Sequence, residues 1–439
     1  MDILIKAAQF LLSLSILIVA HEMGHFLFAK LFKVRVEKFY LFFDPWFSLF
    51  KFKKGETEYG IGWLPLGGYV KISGMIDESM DKEQMAQPPQ PWEFRSKPAW
   101  QRLTIMVAGV VVNFVLALFI YSMIMFVWGK KYIPMQHATY GYQFCETALK
   151  NGFQNGDKII SVDGNTYELI PDAFNEIIIG KAKNVTVERD GQMVNVVLPS
   201  DFSNQYLAAE EQGFAFLNYP WVVDKTVSGS PAEKAGLQSG DRIVAVNQVP
   251  TITADLFVKE VKNNPGKPIH LTVERNGSEQ TVNMEVTAEG TIGVYAQKPE
   301  TILNAKHIKY SFWESFPEGI SFGIDRLIKY VKSLGLLFSK EGVKQLGGFM
   351  AIGNIFPATW DWQSFWELTA FLSIILAFMN ILPIPALDGG HVLFLLYEMI
   401  TGRKPSDKFL EYAQITGMLI LLGLLLVANG NDIIRFFIK

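Results

Sequence analysis

The sequence predicts an α-helical polytopic membrane protein with four transmembrane helices, a membrane-associated β-hairpin and two inserted α+β domains. Composition is the first observation behind this prediction. Of the 439 residues, 49% are hydrophobic and 19% are charged, and the charges concentrate between long apolar stretches. The second observation is an internal repeat between the second and third stretches. Together they indicate a membrane core that carries water-soluble modules.

Four apolar stretches are long enough to cross a bilayer, which takes about 20 residues per helix. They cover residues 3–32, 103–128, about 366–382, and 413–427. An even number of spans places both chain ends on one side of the membrane. The first loop is rich in lysine and arginine, so the positive-inside rule predicts that it faces the cytoplasm. The chain ends and the repeat region are then predicted to face outward.

The first apolar stretch contains an H-E-x-x-H pattern at residues 21–25. At helical spacing His21 and His25 lie one turn apart on the same face as two zinc ligands, with Glu22 beside them as general base. Counted from Lys6 at about 1.5 Å per residue, His21 lies roughly 22 Å along the helix, well inside a bilayer core about 30 Å thick. Ionisable residues at that depth usually have a function. We therefore predict a zinc site here instead of a chance group of buried polar residues.

A hydrolytic zinc site needs a third protein ligand. Asp388 follows Pro383 and Pro385 and precedes two glycines, so the backbone there is irregular at membrane depth and must line protein or a cavity. His391 is the other candidate. Because His391 opens the next apolar segment, we favour Asp388 as the ligand and His391 as a residue that supports it.

These motifs resemble the site-2 protease family of intramembrane metalloproteases. The match rests on H-E-x-x-H in the first span, P-L-G-G-Y-V-K at residues 65–71 and N-x-x-P-x-P-x-L-D-G-G at residues 380–390. The resemblance implies one Zn²⁺ per chain, held by His21, His25 and Asp388. It also implies Glu22 as the general base and Asn380 as a polar group near the scissile peptide. The alternative for Asn380 is a structural cap on a broken helix.

The aromatic segment after the first span is too apolar for a free loop, and we predict that it dips into the bilayer with a hairpin over residues 59–72. A non-helical segment can lie there only if its backbone is paired or faces a wet cavity. An edge strand over residues 66–72 could hold an unwound substrate helix in extended form. The predicted substrate-binding residues are Gly67, Gly68, Tyr69 and Val70. Residues 73–98 are interpreted as a polar linker or, through Trp92 and Phe94, as a contact with the membrane surface.

The internal repeat consists of two matching pairs of segments. Residues 152–164 recur at 236–248 with the pattern G-x-Q-x-G-D-x-I-x-x-V, and residues 185–191 recur at 271–277 with T-V-E-R-x-G. Each copy therefore runs from a helix and a Gly-Asp turn to a β-hairpin. The copies resemble PDZ domains, whose groove beside one strand accepts an extended peptide. Two roles remain open: peptide recruitment, or a size filter over the active site.

The predicted domain order places the PDZ-like domains inside the membrane peptidase core. The predicted boundaries are 1–132 for the first half of the core, 133–220 and 221–302 for the two PDZ-like domains, and 303–439 for the second half. The resemblance implies a location in the inner (cytoplasmic) membrane of a bacterium, with the PDZ-like domains on the extracytoplasmic side. The partners it implies are the lipid bilayer, single-span membrane proteins as substrates, and extended peptides at the PDZ grooves.

The predicted function is a zinc-dependent intramembrane endopeptidase. The resemblance implies regulated intramembrane proteolysis, in which transmembrane segments of single-span proteins such as an anti-sigma factor or signal-peptide remnants are cleaved. One alternative is a catalytically idle PDZ scaffold, which the complete set of zinc-site residues disfavours. Another is a membrane-anchored zincin acting on soluble chains, which the apolar surroundings of His21 disfavour. The net charge of −3 gives no indication of nucleic-acid binding.

Overall fold

The computed structural model describes residues 2–75, 87–211 and 213–438 and divides into two units. The first unit, here called the membrane unit, comprises Met1–Gly129, Lys309–Val331 and Lys344–Lys439. The second, here called the repeat unit, comprises Lys130–Ile308 and Lys332–Val343.

The described helices are numbered in chain order. They are α1 (Asp2–Leu31), α2 (Ala99–Val127), α3 (Glu146–Lys150), α4 (Ile170–Ile178), α5 (Phe202–Ala208), α6 (Pro231–Lys234), α7 (Ala254–Lys262), α8 (Pro299–Ile302), α9 (Phe312–Leu334), α10 (Lys340–Lys344), α11 (Phe349–Ile355), α12 (Trp362–Ile381), α13 (Asp388–Thr401) and α14 (Asp407–Ile433). Short 3₁₀ turns lie at Phe94–Ser96, Met135–His137 and Gly335–Phe338, and a π-helical turn lies at Ile434–Ile438.

The described strands are numbered in the same way. They are β1 (Val36–Leu41), β2 (Phe43–Lys54), β3 (Thr57–Leu64), β4 (Tyr69–Ile72), β5 (Lys130–Tyr132), β6 (Tyr142–Phe144), β7 (Lys158–Val162), β8 (Asn184–Arg189), β9 (Gln192–Val197), β10 (Ala215–Leu217), β11 (Val223–Thr226), β12 (Arg242–Val246), β13 (Val249–Pro250), β14 (Pro268–Arg275), β15 (Ser278–Glu285), β16 (Val294–Ala296) and β17 (Lys306–Ile308).

In the described part of the chain, four helices are long and apolar enough to cross a membrane, which confirms the four predicted spans. They are α1, α2, α12 and the segment Lys408–Phe437 that contains most of α14. The helix α2 is the central one, since it packs against α1, α12 and α13 and its apolar window is 44% buried. The equivalent window of the last span is only 6% buried, so most of its apolar surface is free for lipid.

The sheet of the membrane unit corrects the predicted hairpin over residues 59–72. Its strand order is β2-β3-β1-β4: β3 pairs with β2 on one side and lies parallel to β1 on the other. Both edges of β3 are therefore occupied, and β4 pairs antiparallel with β1 instead, with Phe39 opposite Val70. The hairpin of this sheet is β2–β3, closed by a turn at Gly55. The strand β4 lies at the sheet edge, within the interval 66–72 for which the sequence predicts an edge strand.

The strand β2 presents an apolar surface to its surroundings. Its exposed large side chains are Trp46, Phe47, Leu49, Phe50 and Phe52. Trp46 is 91% exposed, and such aromatic side chains belong at a lipid interface rather than in water. That the segment enters the bilayer stays a prediction, which this surface supports.

The interval 73–98, predicted to be a linker or a membrane contact, is described only outside residues 76–86. Phe94 is 7% exposed and packs in a core with Val36 and Ile72. Its backbone N–H donates to Ser73. The described end of this interval is therefore fixed to the sheet, and Phe94 makes no contact with the membrane surface. Trp92 remains 45% exposed.

The repeat unit contains two small sheets, each with its own hydrophobic core. The first copy of the repeat has the sheet β7-β8-β9, and the second has the sheet β13-β12-β14-β15. Buried aliphatic residues at equivalent repeat positions occupy the two cores, with Ile159 and Val162 in the first and Ile243 and Val246 in the second.

The same ion pair closes both copies. Asp157 accepts two hydrogen bonds from the Arg189 guanidinium, at 2.7 and 2.8 Å. Asp241 likewise accepts two hydrogen bonds from Arg275, both at 2.6 Å. Each aspartate is at most 1% exposed and also accepts a backbone N–H from the glutamine three residues before it, at 2.8 Å. Each arginine also donates to the carbonyl of the glycine that opens its repeat. The sequence repeat is thus a repeat of structure.

Candidate metal centre

Three potential ligands converge in the membrane unit. His21 and His25 lie one turn apart on α1, and Asp388 is the first residue of α13. The two Nε2 atoms are 3.2 Å apart, and Asp388 Oδ2 lies 3.1 Å from that of His21 and 3.3 Å from that of His25. Both imidazoles are buried. In the described part of the chain, these three residues form the group whose geometry could hold a metal ion.

The three ligand atoms fit one face of a zinc tetrahedron. Zn–N and Zn–O bonds of about 2.0–2.1 Å give an edge of about 3.3 Å between ligand atoms, close to the distances of 3.1 to 3.3 Å found here. Asp388 Oδ2 is buried, and its nearest polar neighbours are the two imidazole Nε2 atoms, which donate no hydrogen bond to it when they carry lone pairs. A buried carboxylate oxygen without a donor is costly unless a cation or donor occupies its lone pairs. Two imidazoles and a carboxylate also form a donor set that Zn²⁺ uses in hydrolases.

A short irregular loop between α12 and α13 positions Asp388. Ala386 adopts the left-handed conformation at φ 76°, which an L-residue holds only with support. Its backbone N–H donates to Gln414 Oε1 on α14 at 3.1 Å. At Gly417, one turn further along α14, an added Cβ would lie 1.7 Å from the Pro385 carbonyl oxygen. The helix α14 therefore supports this loop at two points.

Glu22 lies between the histidines and the sheet. The backbone amide of Val70 in β4 hydrogen-bonds to its carboxylate. Gly68 lies against the same helix, since an added Cβ there would be 2.5 Å from Ile18 and 3.6 Å from Glu22 Cγ. The free edge of β4 therefore faces the residue that the sequence predicts to be the base.

Asn380 lies in the last turn of α12, and its Nδ2 is 3.4 Å from His21 Nε2. The predicted polar group is thus next to the cluster of His21, His25 and Asp388. His391, the other candidate for a third ligand, is not a member of that cluster and lines the adjoining cavity.

A cavity of about 780 Å³ opens beside the cluster. Three of the four predicted substrate-binding residues of the sheet segment, Gly68, Tyr69 and Val70, line it, whereas Gly67 packs near Phe43. The Tyr69 hydroxyl donates to Asp44 at 2.8 Å. Burial and the neighbouring Asp44 carboxylate raise the pKa of Tyr69 above its usual range, so the phenol stays protonated and keeps this bond. The hydrogen bond fixes one wall of the cavity.

Several residues of the site are absent from the sequence-based prediction. Asp44 and Lys38 line the cavity from the sheet, and Gln414 and Ala386 shape the loop that carries Asp388. Their roles depend on contacts between distant segments, so no local pattern indicates them. Gln414 alone carries a signal, because it is a polar residue inside an apolar span.

Comparison with known proteins agrees with this geometry. A family model described as Peptidase family M50 matches residues 9–424. The protein named Protease RseP from Yersinia pestis is 30% identical over 461 residues, which cover 99% of this chain and 100% of the relative. The protein named Regulator of sigma E protease from Haemophilus influenzae is 28% identical over 458 residues, with coverage of 99% and 100%.

A third relative, from Neisseria meningitidis, is provisionally named a zinc metalloprotease and is 30% identical over 450 residues, which cover 97% of this chain and 98% of the relative. The family model covers nearly the whole chain, and the relatives align from end to end. The chain belongs to peptidase family M50, the site-2 protease family of zinc metalloproteases.

Proposed function

We propose that the protein is a zinc-dependent endopeptidase that cleaves transmembrane segments of single-span membrane proteins. The observation that carries this proposal is the position of the three-residue cluster. His21 and His25 lie inside a span that is apolar on all sides, in the C-terminal half of α1, beside a cavity with an edge strand in its wall. A metal centre at that depth is within reach of a peptide bond that is itself inside the membrane.

In the proposed reaction, His21, His25 and Asp388 hold one zinc ion, and Glu22 takes the proton of the attacking water. Zinc, when bound, acidifies water and polarises the scissile carbonyl. The Val70 N–H bonds to the Glu22 carboxylate, and Glu22 lines the cavity beside the three ligands. Asn380 Nδ2 is a donor beside the cluster, and it would stabilise the oxyanion or hold the substrate backbone.

The substrate would bind along β4. A transmembrane helix hides its peptide bonds in its own hydrogen bonds, so it must be unwound before cleavage. The backbone groups of Gly67, Gly68, Tyr69 and Val70 could pair with the unwound segment by strand addition at the free edge of β4. The position of β4 beside Glu22 supports this arrangement, because the added strand would lie against the base.

The two copies of the repeat would act as PDZ-like domains on the extracytoplasmic side of a bacterial inner membrane. We favour a role as a size filter that excludes substrates with bulky outward domains, over recruitment of extended peptides. The names of the relatives include a regulator of sigma E, which suggests an anti-sigma factor as one substrate and signal-peptide remnants as others. The lipid bilayer is the remaining partner, and no nucleic-acid partner is proposed.

Cleavage of a model single-span substrate by the purified chain tests the function. We expect mass spectrometry of the products to place the cut inside the transmembrane segment. A chelator should abolish cleavage, and added Zn²⁺ should restore it. A cut only in the soluble part of the substrate would contradict intramembrane proteolysis and support the anchored-zincin alternative. Binding of the substrate without any zinc-dependent cut would support the idle scaffold.

A further inference from the structure

One face of α2 packs against the two histidines of α1. Ile105, Gly109 and Asn113 are spaced four residues apart, so they form a stripe along α2. Ile105 contacts His25, Asn113 contacts His21, and Gly109 lies between them. At Gly109 an added Cβ would lie 2.4 Å from His25 Nε2 and 2.9 Å from His21 Cε1. Any side chain there would displace the imidazoles, so glycine lets the two helices meet at this level.

The stripe fixes the tautomer of His25. Its Nδ1 lies 2.9 Å from the Ile105 carbonyl oxygen. A carbonyl oxygen only accepts, so the Nδ1 atom must carry the proton. The lone pair of neutral His25 is then on Nε2, the atom that faces His21 and Asp388. A metal-ligating imidazole needs this tautomer, and a donor bond from its other nitrogen commonly sets it.

His21 has a different partner on the same stripe. Its Nδ1 lies 3.5 Å from Nδ2 of Asn113, whose side chain is fully buried and whose Oδ1 has no partner among the described residues. An amide is both donor and acceptor, and its two ends have nearly the same shape. It can therefore donate to Nδ1 when the His21 proton is on Nε2. After a half-turn it can accept from Nδ1–H, when Nε2 has to be free for a metal.

We propose that Asn113 is a positioning residue that accepts the Nδ1–H of His21 and so presents its Nε2 for metal binding. Asn113 and the Ile105 carbonyl then orient both imidazoles from α2. The backbone of Asn113 is fixed independently, because Ser373 on α12 donates to its carbonyl at 2.8 Å. The proposal rests on the proposed function, since it assumes that His21 and His25 hold zinc.

The test compares zinc affinities of the full-length chain in detergent, measured by competition with a chromophoric chelator. Asn113→Leu keeps the branched side chain in a larger, apolar form and removes the acceptor, and we expect it to weaken zinc binding by about 10- to 100-fold. Asn113→Asp supplies a permanent acceptor and should bind zinc at least as tightly as the wild type. Ser373→Ala removes support from the Asn113 backbone only, and its affinity should stay within about threefold of the wild type.

A second readout is the visible absorption of the Co²⁺-loaded chain, which reports ligand geometry. We expect Asn113→Leu to change the Co²⁺ bands and Asn113→Asp to keep them. If the larger Leu prevents folding, Asn113→Ala takes its place with the same expected loss. Wild-type affinity in both apolar variants would overturn the proposal, and so would equal weakening in Asn113→Asp. A wild-type chain that binds no zinc would instead overturn the metal centre itself.

Discussion

Buried polar side chains are arranged differently in the two units. In the membrane unit they converge, since His21, His25, Asp388, Asn380 and Asn113 all lie around one point. In the repeat unit they recur, since the same aspartate–arginine pair closes each copy of the repeat. Convergence of unlike groups indicates chemistry, whereas repetition of one pair indicates a device that stabilises a fold.

This comparison separates the expected effects of substitution. Changes around the metal centre should alter zinc content or cleavage while the fold is retained. Changes in the repeat unit should alter stability or substrate choice while the chemistry is retained. A substitution in one unit that alters the property assigned to the other unit would contradict this division.

The largest expected effect is that of Glu22→Gln. Glutamine cannot accept a proton, so cleavage should fall by about 10²- to 10⁴-fold, the usual contribution of a general base. Both imidazoles and Asp388 remain, so zinc content should equal that of the wild type. Product analysis with a single-span substrate and metal analysis of the same preparation measure the two quantities. Residual cleavage within tenfold of the wild type would contradict the role of Glu22.

The next effect is that of Asp388→Asn, which replaces the carboxylate ligand by a weaker one. Zinc content and cleavage should fall together, because the metal is held by three side chains. His391→Ala is the matched control: His391 lines the cavity but lies outside the cluster, so its loss should lower the zinc content far less than Asp388→Asn does. If His391→Ala loses zinc and Asp388→Asn keeps it, the third ligand has been assigned to the wrong residue.

Proline at Val70 tests strand addition at β4. Because the Val70 N–H also bonds to Glu22, cleavage alone would mix two effects. Substrate capture is therefore measured in the Glu22→Gln background, where no general base operates. Adding Val70→Pro should weaken capture at least about tenfold, because the proline ring blocks the free edge of β4 and removes an N–H that an added strand would take over from residue 22. Val70→Ala keeps this N–H and should stay within about threefold. Equal capture by the two fully metallated double variants would exclude pairing at this edge.

The sequence predicts the parts of this molecule that depend on local patterns. The four spans follow from runs of apolar residues, and the proximity of His21 to His25 follows from helical periodicity. The irregular loop before Asp388 follows from its prolines and glycines. These features need no knowledge of which segments meet.

The features that the sequence does not predict all depend on contacts between distant segments. The strand order of the membrane sheet depends on β1 inserting between β3 and β4, which no turn signal in residues 59–72 indicates. Gln414 and Asn113 are each a polar residue inside an apolar span, but their partners follow only from the packing of α14 on the Asp388 loop and of α2 on α1. Long-range packing decides these contacts, and a single sequence does not encode it in a local pattern.

Removal of the repeat unit tests the proposed size filter. Replacing residues 133–302 by a flexible linker should leave cleavage of short, already trimmed substrates unchanged. Cleavage of substrates with bulky outward domains should rise toward the same level. The ratio of the two rates, compared with that of the intact chain, is the measurement. An unchanged ratio in a folded, metallated protein would refute the filter, and lost cleavage of short substrates would support recruitment.

The ion pair of the second repeat copy should have the least effect on cleavage, and its loss should instead lower the stability of that copy. Burial raises the pKa of Asp241, but bonds from Arg275 and the Gln238 N–H outweigh it and lower this pKa below its usual range. Arg275→Gln leaves a buried carboxylate unpaired and should cost about 3–5 kcal/mol at pH 7. Arg242→Gln is the matched control: its pair with Glu274 is 39% and 35% exposed, so its loss should cost at most about 1 kcal/mol.

The loss of stability in Arg275→Gln should also depend on pH, because Asp241 has a lowered pKa in the folded state. Its contribution to stability is complete above the unfolded pKa of about 3.9 and is lost as the pH falls through the folded value. The stability difference between wild type and Arg275→Gln should therefore be largest near pH 7 and shrink below about pH 4. Hydrogen exchange of β14, labelled at several pH values, measures this local stability. Cleavage of short substrates should stay at the wild-type rate at every pH. A loss of stability that is independent of pH, or equal to that of Arg242→Gln, would show that the Asp241–Arg275 pair does not stabilise this copy.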